Sequence, residues 1–522
     1  MKGETTQTPD RKKRGERDSF LETMESLVVA FILAFVFRAY IVEAFVIPTG
    51  SMAPKLNGEH IELTCANCGY LYRVGIDRER EGFPPQETVY QCPLCFSREV
   101  TRKNDIGKWY FGDRILVLKY FYDFFPPQRW DVIVFKYPID PTQNYIKRLI
   151  GLPGEQVEVR DGNVHINGTI AQKTDQAQKA LWMPVNDSNY RDQKHGARWQ
   201  PPANGPEGLW RWQEMPLVFA PQGDTTAYLV YNHFGPDGRR TAIKDFYGYD
   251  NPTRVDPRRI GADRSDDSSI VADQQMLADV QVFGPGVVEI VLRAYDDTFI
   301  FRLPSQGTGR AAEILRNDRL LGKAGPVDPL PVGERVLIEA ANVDHKIILK
   351  VNGRRIIDNN GDGRTDAQDD PVYGQPPDAP ASDPGTWHGS MEDATEVRIG
   401  ASSAATTVYR LRINRDVYYT SNLGGRGPGF GIEGSPYPLG EDEFFVMGDN
   451  SPKSLDSRWW NLREDPTRDK VFTAGREPDR AGVVPRKNLV GKAFFVYWPA
   501  AGARYGVPWR FAPDLKQFRF IR

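Results

Sequence analysis

A serine and a distant lysine are the residues most able to do chemistry together in this sequence. Ser51 lies in the run Phe45–Pro54, and Lys147 lies in the run Asn144–Glu155. A serine hydroxyl becomes an effective nucleophile only when a base removes its proton. A lysine can be that base when burial lowers its pKa toward the operating pH, and an apolar strand over Tyr145–Ile150 would bury Lys147 in this way. Because most Ser and Lys residues lie at protein surfaces, the pair alone does not assign a function.

The segments around this pair resemble the type I signal peptidases, the membrane-bound Ser/Lys proteases that remove signal peptides from exported proteins. Four segments occur in the family's order: Ile47–Met52, Gly112–Lys119, Arg129–Gly154 and Phe444–Trp460. The resemblance covers residues 20 to 63, 98 to 170 and 437 to 522. It implies a β-rich catalytic domain whose chain is interrupted by two inserts.

The resemblance implies a role for each reacting group. Ser51 would attack the scissile carbonyl, and Lys147 would be the general base. The Ser51 backbone N–H and the Thr49 hydroxyl would stabilise the oxyanion, although many relatives carry Ser at the position of Thr49. Catalysis would need no cofactor, and no histidine stands in a motif that suggests a Ser-His pair.

Further supporting residues follow from the last family segment. Ser454 matches the residue that orients the lysine ammonium, and Asp456 and Arg458 match an ion pair behind the site. An ordinary surface salt bridge is the alternative interpretation of that pair. Trp130 departs from the family, because relatives more often have Gly before the aspartate, and we expect its bulk to leave the dyad untouched.

Substrate selection would depend on pockets for small side chains, since signal peptides end in an Ala-x-Ala-like pattern. Without the resemblance, the apolar residues involved would be read as core. We expect the peptide to bind in an extended form along strand edges near the dyad. The residues that match the family's pocket lining are Phe45, Ile47, Met52, Leu56, Tyr145 and Ile146.

The N-terminus predicts a location at the membrane. Residues 1–20 form a polar tail with basic residues between Arg11 and Arg17, and residues 21–42 are long enough to span ~30 Å of hydrocarbon. A cleaved signal peptide or a buried core helix are the alternatives. We expect a retained single-pass anchor in the cell (inner, cytoplasmic) membrane, with the N-terminus cytoplasmic and the catalytic domain extracytoplasmic. A net charge of -2 gives no basic footprint for nucleic acid.

The first insert, residues 64–97, holds all four cysteines: Cys65, Cys68, Cys92 and Cys95. Two CxxC pairs at this spacing predict a zinc ribbon, in which four thiolates surround one structural ion. Two disulfides are the alternative, since the predicted compartment is oxidising.

The second insert, residues 171–436, is larger than the protease and reads as short strands with turn signals. Strand spacing predicts a two-sheet sandwich over about 223–420, and Asn352-Gly353 predicts a hairpin turn. The pattern Ile347–Gly353, followed by Val397–Gly400 and Tyr409–Arg412, is similar to concanavalin-like or laminin-G-type jelly rolls. Such folds often bind carbohydrate or protein, but a spacer without a ligand is an equal alternative.

A loop inside this insert has the oxygen spacing of a calcium site, with Gly363 at the sharp turn. A solvated acidic loop is the alternative interpretation. The candidate ligands are Asp358, Asn360, Asp362, Arg364, Asp366 and Asp369.

The sequence therefore predicts a mainly β protein: a transmembrane helix, catalytic parts at 43–63, 98–170 and 437–522, a ribbon insert and a jelly-roll insert. The predicted function is a type I signal peptidase that acts on exported preproteins at the outer face of the membrane. Two alternatives stay open. One is a membrane-anchored Ser/Lys protease whose insert restricts its substrates, and the other is a non-enzymatic surface protein that binds through the jelly roll.

Overall fold

The protein is described here from a computed structural model that covers residues 22–33, 35–36, 40–76, 87–102, 109–235, 238–250, 269–323, 330–358, 366, 368, 370–373, 389–421, 429–460, 480–498, 502–503 and 518–521. Strands predominate over helices, so the fold is mainly β, as the sequence predicts. The described α-helices after residue 40 are α1 (Phe121–Phe124) and α2 (Asp175–Leu181). Short 3-10 turns occupy Gly248–Asp250, Met391–Asp393, Ser451–Lys453 and Arg486–Asn488.

The described strands are, in chain order, β1 (Val42–Val46), β2 (His60–Thr64), β3 (Leu71–Gly75), β4 (Glu87–Gln91), β5 (Arg98–Arg102), β6 (Trp109–Tyr110), β7 (Arg114–Leu118), β8 (Val132–Lys136), β9 (Asn144–Gly151), β10 (Gln156–Arg160), β11 (Asn163–Ile166), β12 (Thr169–Ile170), β13 (Met183–Asp187), β14 (Trp199–Gln200), β15 (Trp210–Arg211), β16 (Leu217–Phe219), β17 (Ala227–Tyr231), β18 (Gln274–Val282), β19 (Val287–Ala294), β20 (Asp297–Pro304), β21 (Glu313–Arg316), β22 (Arg319–Lys323), β23 (Arg335–Val343), β24 (Lys346–Val351), β25 (Arg354–Arg355), β26 (Thr395–Ser402), β27 (Thr406–Arg415), β28 (Tyr437–Pro438), β29 (Glu443–Met447), β30 (Val484–Pro485), β31 (Leu489–Trp498), β32 (Gly502–Ala503) and β33 (Arg519–Phe520).

The N-terminal part of the described chain is helical over residues 22–33. Its apolar side chains face outward, with Phe31 56% and Leu33 63% exposed. The predicted span 21–42 also contains residues 21, 34 and 37–39, which lie outside the described residues. Within the residues that the structure describes, no helix is both long and apolar enough to cross a membrane.

One antiparallel sheet gathers strands from all three predicted catalytic stretches, in the order β1-β7-β31-β8-β9-β29-β30, with β33 paired to β31. The apolar run of β8 forms a central strand because its side chains are buried on both faces of the sheet. Its residues Val132 and Val134 pack into one hydrophobic cluster, whereas Ile133 and Phe135 pack into another. Because both faces of the strand are covered, its neighbour β9 can carry Lys147 into a buried position.

A smaller sheet has the order β12-β11-β10-β28. Its strands β10, β11 and β12 follow β9 directly in the sequence. α2 follows β12, and the Thr174 side chain accepts a hydrogen bond from the Ala177 N–H at the start of the helix. Leu181 of α2 and Trp130 belong to one buried cluster together with Tyr247. The sheet that contains β8 and β9 and the segment 171–436 therefore share hydrophobic packing.

Two large sheets within residues 171–436 enclose a common core. One has the order β15-β16-β27-β18-β23-β24-β25, with β13 paired to β27, and the other has the order β14-β17-β26-β19-β20-β21-β22. The sheets include strands that begin at Met183, well before the predicted start near 223. The predicted turn at Asn352-Gly353 connects β24 to β25, with φ of 49° and 80°. The jelly-roll type of this sandwich stays a prediction.

The first predicted insert, residues 64–97, contains β3 and β4, whose hairpin partners β2 and β5 lie at or just outside its predicted bounds. It packs against the segment 171–436, since the rings of Tyr70 and Tyr190 lie 5.0 Å apart and those of Phe96 and Phe246 lie 5.2 Å apart. In addition, the Asn67 side chain donates a hydrogen bond to the Asp192 carboxylate at 2.8 Å. The two predicted inserts are therefore in direct contact.

The predicted calcium loop lies largely outside the described residues. Of its six candidate ligands, only Asp358 and Asp366 are described. The calcium prediction therefore rests on the sequence.

Candidate active site

The strand β9 and the turn after β1 bring Ser51 and Lys147 together. The Lys147 Nζ lies 2.6 Å from the Ser51 Oγ, which is hydrogen-bond distance. Both residues are buried. This separation allows direct proton transfer between the hydroxyl and the amine, which general-base catalysis requires.

Burial tunes the lysine for that transfer. Desolvation lowers the pKa of Lys147 from 10.5 to about 8, opposed by the carboxylates of Asp456 and Asp449 and assisted by Arg458. Desolvation disfavours the charged form because the ammonium loses its hydration. At a pH near 8, a large share of Lys147 is therefore neutral and able to accept a proton.

The turn that carries Ser51 is held against the segment that follows β29. The Asn450 N–H donates to the Ser51 carbonyl at 3.1 Å. A Cβ at Gly448 would lie 2.4 Å from both the Ser51 carbonyl oxygen and the Ser454 Oγ. Only glycine permits this close approach, which brings the two family segments into contact.

Asp456 and Arg458 form an ion pair that is completely buried, with two hydrogen bonds of 2.9 and 2.7 Å. The pair is therefore buried, and the alternative interpretation as a surface salt bridge does not apply. Although burial would raise the pKa of Asp456, the guanidinium and the Gly448 N–H hold it below its ordinary value. Arg458 also donates to the Ser451 hydroxyl at 2.7 Å. The pair thus fixes the turn at Ser451–Lys453 behind the dyad.

A second buried ion pair lies beside the first, and it is not among the residues predicted from the sequence. Arg148 donates two hydrogen bonds of 2.7 Å to Asp449, and both side chains are 1% exposed. Arg148 follows Lys147 on β9, so its side chain leaves the opposite face of the strand. The signal available in the sequence was the placement of both residues inside family segments.

The expected oxyanion donors lie on the same turn as the nucleophile. The Thr49 side chain is exposed, and neither its hydroxyl nor the Ser51 N–H makes a hydrogen bond to another described residue. Both groups are therefore available to a substrate carbonyl. The Ser454 Oγ is buried and has no hydrogen-bond partner within the described part of the chain, so its predicted contact with the lysine ammonium stays a prediction.

The six expected pocket residues fall into two groups. Ile47, Met52 and Leu56 are fully buried in one cluster, and Phe45 and Ile146 pack at its margin. Tyr145 instead stacks on Tyr137, with ring centroids 4.3 Å apart, and its ring lies 5.8 Å from the Lys147 Nζ. Of the six residues, Phe45, Tyr145 and Ile146 are therefore the ones that are partly exposed.

Trp130 occupies a backbone conformation that explains why relatives more often have Gly there. Its φ is 76°, in the left-handed region that favours glycine. Its indole Nε1 donates to the Gln172 carbonyl at 3.2 Å, and its own carbonyl accepts from Arg148 at 2.8 Å. The ring is directed toward the segment 171–436, away from the dyad.

The four cysteines come together at the tips of the two hairpins. All four Sγ atoms lie within 4.8 Å of one another, and none is in a disulfide. The separations Cys65–Cys95 and Cys68–Cys92 are 3.5 and 3.7 Å. Four sulfurs at ~2.3 Å from a tetrahedral zinc would be separated by nearly this distance. The residues present therefore fit a structural zinc ion.

A further acidic cluster brings Asp273, Asp344 and Asp416 together, with oxygens within 4.8 Å of one another. Lys173 already occupies it, since its Nζ donates to Asp344 at 2.6 Å and to Asp416 at 2.7 Å. Although burial disfavours the charged lysine, these carboxylates raise the pKa of Lys173 above its ordinary value. The cluster joins the chain after β12 to the ends of β23 and β27.

Comparisons with known proteins agree with this site. The family described as signal peptidase, peptidase S26, matches residues 94–207 and 412–498. These ranges contain Lys147, Ser454, Asp456 and Arg458, and Ser51 precedes them. The signal peptidase I of Pseudomonas fluorescens is 29% identical over 165 residues, which are 31% of this chain and 43% of that protein. The probable signal peptidase I-2 of Synechocystis sp. is 26% identical over 168 residues, covering 31% and 52%.

The chain thus spans about half the length of the curated relatives that it matches. Among solved structures, the carbohydrate-binding module CBM66 from Bacillus subtilis matches 41% of this chain and 92% of its own, at 9% identity and a TM-score of 0.22. A likeness this distant carries no weight for function. Over the matched ranges the chain is similar to the signal peptidase family, peptidase S26, and the geometry of Ser51 and Lys147 agrees with that match.

Proposed function

We propose that this protein is a signal peptidase I, an endopeptidase that removes N-terminal signal peptides from exported preproteins. The observation that carries the proposal is the 2.6 Å separation of the Lys147 Nζ and the Ser51 Oγ at a buried position. The chemistry is acyl transfer. The Ser51 Oγ attacks the scissile carbonyl carbon while its proton passes to the neutral Lys147 Nζ.

The tetrahedral intermediate carries its negative charge on the former carbonyl oxygen. The Ser51 N–H and the Thr49 hydroxyl would donate to that oxygen. Collapse of the intermediate breaks the C–N bond, and Lys147 gives its proton to the leaving amine. A water molecule then attacks the acyl-enzyme with Lys147 again as the base, which releases the signal peptide and restores Ser51.

The substrate would bind in an extended form beside the turn at Ser51. Among the described strands, β1 pairs with β7 alone, so its other edge is open to a peptide strand. Added strands gain main-chain hydrogen bonds along such an edge. Phe45, Tyr145 and Ile146 would then contact the small side chains that precede the cleavage site.

Membrane attachment through residues 21–42 is part of the proposal. The support is the exposure of apolar side chains in the described helical residues, such as Phe31 and Leu33. Large apolar side chains exposed in succession favour contact with lipid over contact with water. The chain enters β1 directly after this segment, so the dyad would lie near the outer surface of the membrane.

We also propose a structural zinc ion held by Cys65, Cys68, Cys92 and Cys95. The buried thiols at tetrahedral separations support it. With four protein ligands the ion would have no open position, so its contribution is to close a small unit with little core of its own. A carbohydrate or protein ligand of the sandwich and calcium at 358–369 stay predictions from the sequence.

The test of the proposed function is cleavage of a preprotein with an Ala-x-Ala site by the full chain in detergent. Mass spectrometry of the mature product should locate the cut after the second Ala. Ser51→Ala should lower the rate at least about 10³-fold. The control is Ser403→Ala, since Ser403 is an exposed serine of the segment 171–436, and this variant should cleave as the wild type does. Cleavage elsewhere, or full activity of Ser51→Ala, would exclude the proposal.

A further inference from the structure

The turn Gly248–Asp250, which belongs to the segment 171–436, reaches the residue before the nucleophile through one side chain. The Asp250 Oδ1 accepts a hydrogen bond from the Asn450 Nδ2 at 2.7 Å. The same Nδ2 donates to the Gly50 carbonyl at 3.0 Å. Gly50 and Ser51 share a peptide bond, so a direct path of contacts leads from Asp250 to the nucleophile.

The Gly50 carbonyl controls where the Ser51 N–H is directed. In a trans peptide the C=O and the N–H of the next residue lie in one plane and are directed oppositely. Fixing the Gly50 oxygen toward Asn450 therefore fixes the direction of the Ser51 N–H. The Ala53 N–H also donates to the Gly50 carbonyl, at 3.0 Å, but it moves with the same turn. Asn450 is the partner from outside the turn.

Asp250 determines how the Asn450 amide is oriented. A side-chain amide has one accepting and one donating end, and an ionised carboxylate only accepts. With Asp250 on the same side as Gly50, the Nδ2 must be directed toward both. The Asn450 Oδ1 has no partner within the described residues, so no contact there opposes this orientation. Without the carboxylate, the Gly50 oxygen alone would hold the Nδ2, and the amide would be freer to rotate away from it.

Tyr249 holds the same turn from the other side. A Cβ at Gly50 would lie 2.2 Å from the Tyr249 Cε1, so the ring rests directly on the glycine backbone. The Tyr249 hydroxyl donates to the Glu59 carbonyl at 3.2 Å. The ring therefore contacts the turn at Gly50 and, near its end, at Glu59.

The sandwich holds this contact in place. Arg415, at the end of β27, donates to the Phe246 carbonyl at 2.9 Å, and its guanidinium lies 4.9 Å from the Tyr247 ring. The Tyr247 hydroxyl donates to the Asp449 carbonyl at 3.3 Å. The residues before Asp250 are thus attached both to a sandwich strand and to the segment that carries Asn450.

We propose that Asp250 is a positioning residue of the protease, which orients the Ser51 N–H for the oxyanion by acting through Asn450 and the Gly50 carbonyl. The large segment 171–436 would then contribute Asp250 to the active site, in addition to packing beside it. This inference rests on the proposed signal peptidase function and deepens it. It assigns the segment a part in catalysis that does not depend on any ligand of the sandwich.

The experiment compares the full-length wild type with Asp250→Ala, Asp250→Asn and the control Asp296→Ala, an exposed carboxylate in the turn between β19 and β20. Three quantities are measured: kcat and KM on the preprotein, inhibition by a peptide aldehyde that ends in Ala, and binding of an uncleavable peptide. The aldehyde forms a hemiacetal with Ser51, and its oxygen occupies the oxyanion position. Melting temperatures are recorded for every variant.

We expect Asp250→Ala to lower kcat and aldehyde affinity about tenfold each, with KM and binding of the uncleavable peptide within about twofold. Asp250→Asn can still accept from Asn450 and should recover most of that loss. The inference is overturned if Asp250→Ala behaves as Asp296→Ala does, or if aldehyde and uncleavable peptide lose affinity equally. A wild type that cleaves no preprotein would instead refute the proposed function.

Discussion

Lys147 and Ser51 are 96 positions apart in the chain, yet their Nζ and Oγ atoms lie 2.6 Å apart. Two buried ion pairs surround them, Arg148 with Asp449 and Arg458 with Asp456. The carboxylates limit the loss of lysine basicity that burial causes, so the pKa of Lys147 falls only to about 8. Near pH 8, a large share of Lys147 is therefore neutral, yet the amine is still basic enough to accept the Ser51 proton.

Substitution of the lysine should separate charge from base function. Lys147→Arg keeps a cation but cannot supply a neutral base, because the guanidinium stays protonated. We expect Lys147→Arg and Lys147→Met to lower kcat at least about 10³-fold in the preprotein assay. Lys136→Met is the control, since Lys136 is exposed at the end of the neighbouring strand β8. Substantial activity in Lys147→Met would show that another group removes the Ser51 proton.

The rate should rise with pH through the titration of Lys147. Its pKa is lowered to about 8, and the catalytic form is the neutral one that exists above that value. Below about pH 8, each unit of acidification should therefore lower kcat/KM about tenfold, and above it the rate should level off. Initial rates from pH 6 to 10 measure this profile. A rate that is flat between pH 6 and 8 would contradict the assignment.

The Asp456–Arg458 pair should matter for stability more than an exposed pair does. Both side chains are completely buried, so Asp456→Asn leaves Arg458 with its charge uncompensated. We expect a loss of about 3 to 5 kcal/mol in the free energy of unfolding. Asp442→Asn, which breaks an exposed pair with Arg486, should cost less than about 1 kcal/mol. Denaturant titrations of both variants supply the comparison, and equal losses would refute the prediction.

The sequence predicted the parts of the site that lie in short motifs. Ser51 and Lys147 could be paired by resemblance because each stands in a distinctive run, and the cysteine spacing indicated the cluster that the hairpins form. Hydrophobic periodicity alone could not bring two residues so far apart in the chain into contact. Register between β8 and β9, which sets the position of Lys147, depends on packing of both faces of the sheet.

Contacts between the inserts and the site were not predictable from patterns. Asp250 and Tyr249 lie in a short 3-10 turn with no motif, and their role depends on where the sandwich places that turn. Strands β13 and β16 are also hard to predict from the sequence, because they are short and both pair with β27, which lies far along the chain. Arg458 donates hydrogen bonds to the Thr420 carbonyl and the Ser451 hydroxyl, and the burial of the Asp456–Arg458 pair likewise depends on these contacts.

The metal content distinguishes the two interpretations of the cysteine cluster. We expect about one zinc per chain by mass spectrometry of the purified protein, and loss of that zinc with a lower melting temperature in Cys92→Ala. Thiol titration after denaturation with chelator should find all four cysteines free. Tyr72→Phe, which alters the same small core but no ligand, should keep its zinc. Protein without zinc and without free thiols would favour the disulfide alternative.

Trp130 offers a test of backbone strain, because its φ of 76° is costly for any residue with a Cβ. Trp130→Ala loses the packing of a buried indole and keeps the strain, whereas Trp130→Gly loses the same packing and relieves the strain. We therefore expect Gly to be more stable than Ala at this position by about 1 kcal/mol. At Trp199, a buried tryptophan in strand β14 without this conformation, the order should be reversed, since Gly costs about 0.5 to 1 kcal/mol relative to Ala. Free energies of unfolding for the four variants decide the matter. If Ala is more stable than Gly at both positions, the backbone at Trp130 carries no strain.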